Sequence, residues 1–323
     1  MEHKYNWKDY PEINSLLNEI YKNTLLENRQ NGNLPQAIEL VRYIEDYILN
    51  VINQYDAKKT IASLEKIKSI RITKSTVPIY ILGSTIVINQ NLFKNNSKEE
   101  NTTTIDSQII YYLYYELSKH ILSFKSEITE KFSKIYSNSL QGYDKKIETQ
   151  IMVNNGWLFL EEIIAKEAAE RFTYITLNKI RLSTKIDFKY YNIIVMFGMT
   201  LNKIGNKENH SNGIIMYSLL KKAFNNDFSK EVISEYISRN SEFELYQILY
   251  IMGLIINEQN NRIPNVKLTD EEINNLFIEL NKLLTGSITL EEDEYQTVET
   301  IEEKRLNPFE KIRILRLIKD KRI

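Results

Sequence analysis

Helix breakers are scarce in this chain: 323 residues contain only 5 prolines and 9 glycines. Proline and glycine are the residues that most reliably interrupt an α-helix, so long stretches are free to form one. Apolar residues recur at three- and four-residue spacing through most of them, which predicts helices. In the first third these cover Pro11–Glu27, Pro35–Gln54 and Ala57–Lys68, with Pro35 suited to a first helical turn. The pattern changes between Arg71 and Asn91. There Pro78–Leu82 and Thr85–Asn89 are β-branched runs joined at Gly83-Ser84, and both are expected as strands.

The polar tract Lys94–Thr104 is expected as a loop, after which Asp106 can cap a helix running to about Phe124. A longer helix is expected from near Lys145 to about Lys179, with an interruption left open at Asn154-Asn155-Gly156. Six more follow: Tyr190–Ile204, Gly213–Phe224, Ser229–Ser238, Glu242–Asn257, Asp270–Leu284 and Pro308–Lys321. Thr269 and Glu272 have the spacing of a capping box. The expected fold is therefore α+β and predominantly helical, with a small antiparallel or mixed sheet followed by a helical C-terminal region. The polar stretch Gly205–Ser211 divides it. Residues 1–205 hold a helical segment (1–70) and the sheet (71–91), and residues 206–323 are expected to be all-helical.

Charge and composition remove several function classes. Lys plus Arg number 42 and Asp plus Glu 43, a net charge of -1, so no basic field would draw in nucleic acid or an anionic membrane. The acidic tract Glu291–Glu294 and the basic residues from Lys304 to Arg322 adjoin, and are expected to pair internally or face solvent. Cysteine is absent, which excludes disulfides, thiolate metal sites and a cysteine nucleophile. Met1–Asp9 has no apolar core of the kind a secretory signal needs. Leu249–Ile256, the longest apolar run, is far shorter than the roughly 20 residues that cross a bilayer. A cytoplasmic location is expected unless a leader has been removed. Neither a Gly-rich phosphate loop nor a G-x-S-x-G elbow is present.

One constellation carries chemistry. The segment Tyr111-Tyr-Leu-Tyr-Tyr-Glu-Leu-Ser-Lys-His120 aligns with H-E-x-x-H, in which two histidines four apart bind zinc and the glutamate activates the metal-bound water. Glu116 stands at the general-base position, while Tyr115 and Lys119 stand at the two ligand positions. Upstream lies the Ile/Val-rich run Thr85–Asn91. Downstream, Trp157-Leu-Phe-Leu-Glu161-Glu162-Ile-Ile-Ala165-Lys-Glu-Ala168 is similar to the Trp-x-x-x-Glu-Gly-x-Ala helix that supplies a third zinc ligand.

In this order and spacing, residues 71–175 resemble the gluzincin branch of the zincin metallopeptidases. The resemblance implies Glu162 at the third-ligand position, with Glu161 the next choice, and departs at Ile163, where glycine is usual. It also implies a zincin-like scaffold whose cleft holds an extended peptide along a sheet edge, here Thr85–Asn91 with Thr85, Val87 and Ile88. With only three histidines, His3, His120 and His210, no pair sits four apart, so zinc is not expected and no cofactor is implied.

Three readings stay open. In the first, Lys119 fills the vacated metal position between Glu116 and Glu162, and the chain is an inactive peptidase relative that binds a peptide or protein partner. In the second, a register shifted by one joins Glu116, His120 and Glu162 as a metal site for an atypical hydrolase. In the third, these are ordinary helix-surface pairs in an all-helical interaction protein unrelated to zincins. Nothing in the sequence names an oligomeric state.

Overall fold

The computed structural model describes residues 10–30, 32–55, 57–96, 105–122, 143–177, 188–202, 212–225, 234, 236, 242–260 and 268–287. Among these residues it contains the α-helices α1 Pro11–Asn28, α2 Leu34–Gln54, α3 Ala57–Leu64, α4 Ser107–Leu122, α5 Tyr143–Leu177, α6 Phe188–Asn202, α7 Asn212–Asn225, α8 Glu242–Asn260 and α9 Asp270–Ser287, and a 3-10 helix Gln90–Asn96 at the start of the tract expected as a loop. Among the described residues there is one sheet, formed by β1 Ser69–Thr73, β2 Ile79–Leu82 and β3 Thr85–Asn89. The architecture is α+β and predominantly helical, so an all-helical fold does not apply.

Two compact units are distinguished. One comprises Met1–Ser123, Glu161–Asp187 and Leu220–Asn226, the other Phe124–Leu160, Phe188–Leu219 and Asp227–Ile323. The expected division at Gly205–Ser211 lies outside the described residues. The expected helix at Pro308–Lys321 and the charged tail also lie outside the described residues. Of the helix expected at Ser229–Ser238, only Ser234 and Tyr236 are described, both helical.

In the first unit, β3 occupies the middle of the sheet. It pairs in parallel with β1 (Ile70 with Ile86, Ile72 with Ile88) and antiparallel with β2 (Ile79 with Ile88, Ile81 with Ile86). This corrects the expectation that Thr85, Val87 and Ile88 form an edge, because both sides of β3 are already hydrogen-bonded to neighbours. β1 was not foreseen as a strand, and α3 ends at Leu64 rather than Lys68. The registers place six isoleucines on one face: Ile70, Ile72, Ile79, Ile81, Ile86 and Ile88. Five of them are 3% exposed or less, each contributing about 1.5–3 kcal/mol of burial.

The outer side of β1 is closed by side chains of α1. Thr24 Oγ1 accepts the Ile70 N–H (3.0 Å), Asn28 Nδ2 donates to the Ile70 carbonyl (2.7 Å), and Asn28 Oδ1 accepts the Ile72 N–H (3.1 Å). A residue of a parallel neighbour would bond that same carbonyl and N–H, so the Asn28 carboxamide stands in for one residue of a fourth strand. Both side chains are fully buried. Glu19–Lys68 and Glu27–Arg71 ion pairs flank them at the surface.

Behind the sheet lies an aromatic core. Tyr47 packs on Tyr114 and Phe172 at 5.1 and 5.3 Å between ring centroids, and Tyr55 stacks on Phe224 at 4.9 Å. The two buried phenols each find a hydroxyl: Tyr47 pairs with Ser118 (2.8 Å) and Tyr114 with Thr176 (3.0 Å), whose oxygen also accepts from Asn50 (3.1 Å). α2, α4 and the C-terminal half of α5 are thereby locked in register.

In the second unit, α5 runs unbroken through Asn154-Asn155-Gly156. Tertiary packing explains why these residues do not break it. A Cβ on Gly156 would collide with the backbone of Leu249, 2.7 Å from its carbonyl carbon, and one on Gly253 would lie 2.6 Å from the carbonyl carbon of Met152. α5 and α8 thus touch backbone to backbone, which only glycine permits. α8 is buried continuously from Leu245 to Asn257. α9 opens with the expected capping box: the Thr269 N–H donates to Glu272 Oε2 (2.9 Å) and the Glu272 N–H to Thr269 Oγ1 (3.3 Å).

Two stability measurements check this packing. Asn28→Ala strands a buried carbonyl and a buried N–H on β1, and should lower unfolding stability by about 1–3 kcal/mol for each group left unpaired, read as a shift in the urea midpoint. Gly253→Ala should destabilise by about 1–3 kcal/mol or more through overpacking, whereas Gly286→Ala, where an added Cβ meets nothing within 4 Å, should raise stability by about 0.5–1 kcal/mol.

Candidate functional site

α4 begins where the Asp106 carboxylate accepts the Gln108 N–H at 2.9 Å, satisfying one of the helix's orphan donors. Its buried side carries Tyr114 and Ser118 into the aromatic core. Tyr111, Tyr115 and Lys119 follow at four-residue intervals on another face, with Glu116 beside them. On α5 the corresponding residues are Glu161, Glu162 and Lys166, all in the same compact unit as α4.

The structure brings Tyr115, Glu116, Lys119 and Glu162 together. The Tyr115 hydroxyl is hydrogen-bonded to the Glu162 carboxylate. Burial drives the phenol far above its ordinary pKa, and the Glu162 charge adds to this, so Tyr115 stays neutral and donates. Burial also acts to raise Glu162. The Lys166 ammonium, 3.0 Å away, outweighs it together with the Tyr115 hydrogen bond and Lys119, and Glu162 lies below the usual carboxylate range. Lys119 lies over the Tyr115 ring, 5.3 Å from its centroid.

Glu116 has the opposite fate. Burial pushes its pKa up, Lys119 opposes the shift, and the charges of Glu162 and Glu161 add to it. The two carboxylates are therefore shifted in opposite directions, Glu162 downward and Glu116 upward.

Lys119 consequently does not bridge Glu116 and Glu162 as a direct ion-pair partner in the manner expected. Among the described residues the cation that touches Glu162 is Lys166, one turn further along α5. Lys119 lowers both carboxylates through its charge, without a direct ion pair to either among the described residues. Lys166 was overlooked in the sequence, although its i,i+4 spacing from Glu162 was a usable signal.

The residues of the shifted metal set are not brought together among the described residues. His120 Nε2 donates to the Ser63 carbonyl at 2.9 Å, tying α4 to the end of α3. Its pKa is lowered by burial, partly offset by that hydrogen bond. Among the described residues no group of three or more His, Asp or Glu side chains is arranged to hold a metal. At the two ligand positions of the motif stand a phenol already donating to a carboxylate and a lysine, and neither suits zinc.

Thr85, Val87 and Ile88 belong to the sheet interior: Val87 and Ile88 are buried, and Thr85 Oγ1 shares a 3.1 Å hydrogen bond with Ser69 Oγ. Among the described residues the sheet edge that remains is β2. The Asn89 N–H donates to the Pro78 carbonyl at 2.9 Å. By the antiparallel alternation Tyr80 and Leu82 then face β3, and the N–H and C=O of Ile79 and Ile81 point outward. Among the described residues no hydrogen bond reaches those outward groups. Exposed apolar side chains flank them, Val77 at 47% and Leu82 at 65%.

Compared with known proteins, the chain matches no protein-family model, no curated protein and no solved structure.

The electrostatics of Glu116 are open to test. Its folded-state pKa lies above the ordinary 4.5, so the stability it contributes is full below that value and is lost as pH rises through the folded pKa. Glu116→Gln, which keeps a neutral side chain at every pH, should melt at a higher temperature than the parent at about pH 7, and the gap should close by about pH 4. An equal gap at both values would contradict the assignment.

Proposed function

We propose that the protein is a binding module without peptidase activity, taking an extended segment of a protein or peptide as an added strand along β2. The observation that carries this reading is the contrast between the two sides of the sheet. β1 is sealed by Thr24 and Asn28, whereas the outward groups of Ile79 and Ile81 meet no partner among the described residues. Strand addition uses such groups for affinity and the alternating side chains for selectivity.

The metallopeptidase resemblance enters this proposal as the descent of the scaffold. Its general-base and third-ligand positions remain carboxylates, Glu116 and Glu162, while Tyr115 and Lys119 replace the histidines. The resulting charge-balanced seam between α4 and α5 holds these residues to one another.

A fluorescent peptide copying residues 76–84 serves as a probe strand. Binding measured by anisotropy, or slow hydrogen exchange at the Ile79 and Ile81 amides where that edge is already covered, is the expected result. Ile81→Pro removes an outward N–H and should abolish either signal with the far-ultraviolet circular dichroism unchanged. Fast exchange at both amides together with no probe binding would reject the proposal.

A further inference from the structure

Natural sheets protect an exposed edge with a lysine or other charge, a bulge, or a covering segment. β2 has no charge to offer: from Ser75 to Phe93 the chain contains no Asp, Glu, Lys or Arg, and its exposed residues at either end, Val77 and Leu82, are apolar. The opposite edge of the same three-stranded sheet is sealed by Thr24 and Asn28. Among the described residues that uncharged, apolar edge stands open beside a closed one, the signature of a surface that is covered in the working protein.

Resting on the strand-addition reading, we propose that the strand added to β2 is β2 of a second copy of this chain. The edge is self-complementary. A two-fold axis through Tyr80 sets Ile79 opposite Ile81 of the second copy, and each such pair exchanges its outward N–H and C=O; the symmetry repeats the exchange on the other side of the axis. Pro78, which has no N–H, then falls opposite Leu82 of the second copy at a site where no hydrogen bond is made, so the proline is accommodated without loss. In this register Tyr80 faces its own symmetry mate in a non-hydrogen-bonded pair.

Because Ser75–Phe93 is uncharged, no like charges are brought together across the axis, which is the usual obstacle to a strand pairing with itself. The product is a continuous six-stranded sheet in the order β1-β3-β2-β2-β3-β1, with Thr24 and Asn28 sealing both outer ends.

The chain provides its own readout, since its 323 residues contain no cysteine. Facing residues in a non-hydrogen-bonded antiparallel pair have Cα atoms about 4.5 Å apart, within the range a disulfide bridges. Tyr80→Cys should therefore form a covalent dimer under diamide, while Leu26→Cys, on an exposed position of α1, should not. Light scattering after size exclusion should give a dimer for the parent chain and monomers for Tyr80→Lys and for Tyr80→Glu alone. An equimolar mixture of those two should restore the dimer.

A parent chain that stays monomeric at high micromolar concentration, with Tyr80→Cys cross-linking no faster than Leu26→Cys, would overturn the second copy as occupant. Binding of the 76–84 probe peptide by that monomer would leave strand addition standing, with a different partner; failure of both would remove the two together. A dimer that is indifferent to the Tyr80 charge variants would also overturn the proposal, since it would be held elsewhere.

Discussion

A single carboxamide decides how far the sheet of this protein extends. Asn28 bonds the Ile70 carbonyl and the Ile72 N–H at once, and Thr24 takes the Ile70 N–H, so the outer side of β1 is satisfied by a helix rather than by a strand. Buried peptide groups must find partners somewhere. Had α1 presented apolar residues at these positions, β1 would need another strand or exposure to water. With β1 sealed and β3 enclosed, the capacity to pair further falls on β2. The orientation of the sheet, the identity of its open edge and the function proposed for that edge follow from these side-chain bonds.

A second set of interactions places α4 against α5. Tyr47 and Tyr114 are too large to bury without a partner for each hydroxyl, and Ser118 and Thr176 supply those partners at single defined positions along their helices. This fixes the rotation of α4 so that Tyr115, Glu116 and Lys119 meet Glu162 and Lys166. The seam is electrostatically uneven. Lys166 and Tyr115 hold Glu162 down, while burial raises Glu116 against the opposing charge of Lys119. An arrangement that engages its polar groups with one another is suited to holding two helices together, and its donor set does not suit a zinc ion.

Helix placement was legible in the sequence wherever capping and apolar spacing agreed. α1, α2, α4 and α9 start where Pro11, Pro35, Asp106 and Thr269 indicated, within a residue or so, because capping chemistry is local. β2 and β3 were legible from their β-branched runs and the turn at Gly83, whose φ of +60° suits glycine. β1 was not, since Ser69-Ile-Arg-Ile-Thr is short and follows a helix without a clear break. The order of strands was out of reach for a different reason: alternation tells which face a residue occupies, and says nothing about which neighbour lies alongside.

The candidate site divides along the same line. The sequence by itself determined that Glu116 and Lys119 share a helix, that Glu162 and Lys166 share another one turn apart, that cysteine chemistry is absent and that no two histidines can cooperate within one helix. These are facts of spacing and composition. Only the tertiary structure decided that the two helices face each other through Tyr115, that His120 turns to Ser63, that Asn154-Asn155-Gly156 continues a helix because Gly156 must meet Leu249, and that β2 rather than β3 is the sheet edge. Each of those outcomes depends on contacts between residues far apart in the chain, where packing and hydrogen-bond satisfaction override local preference.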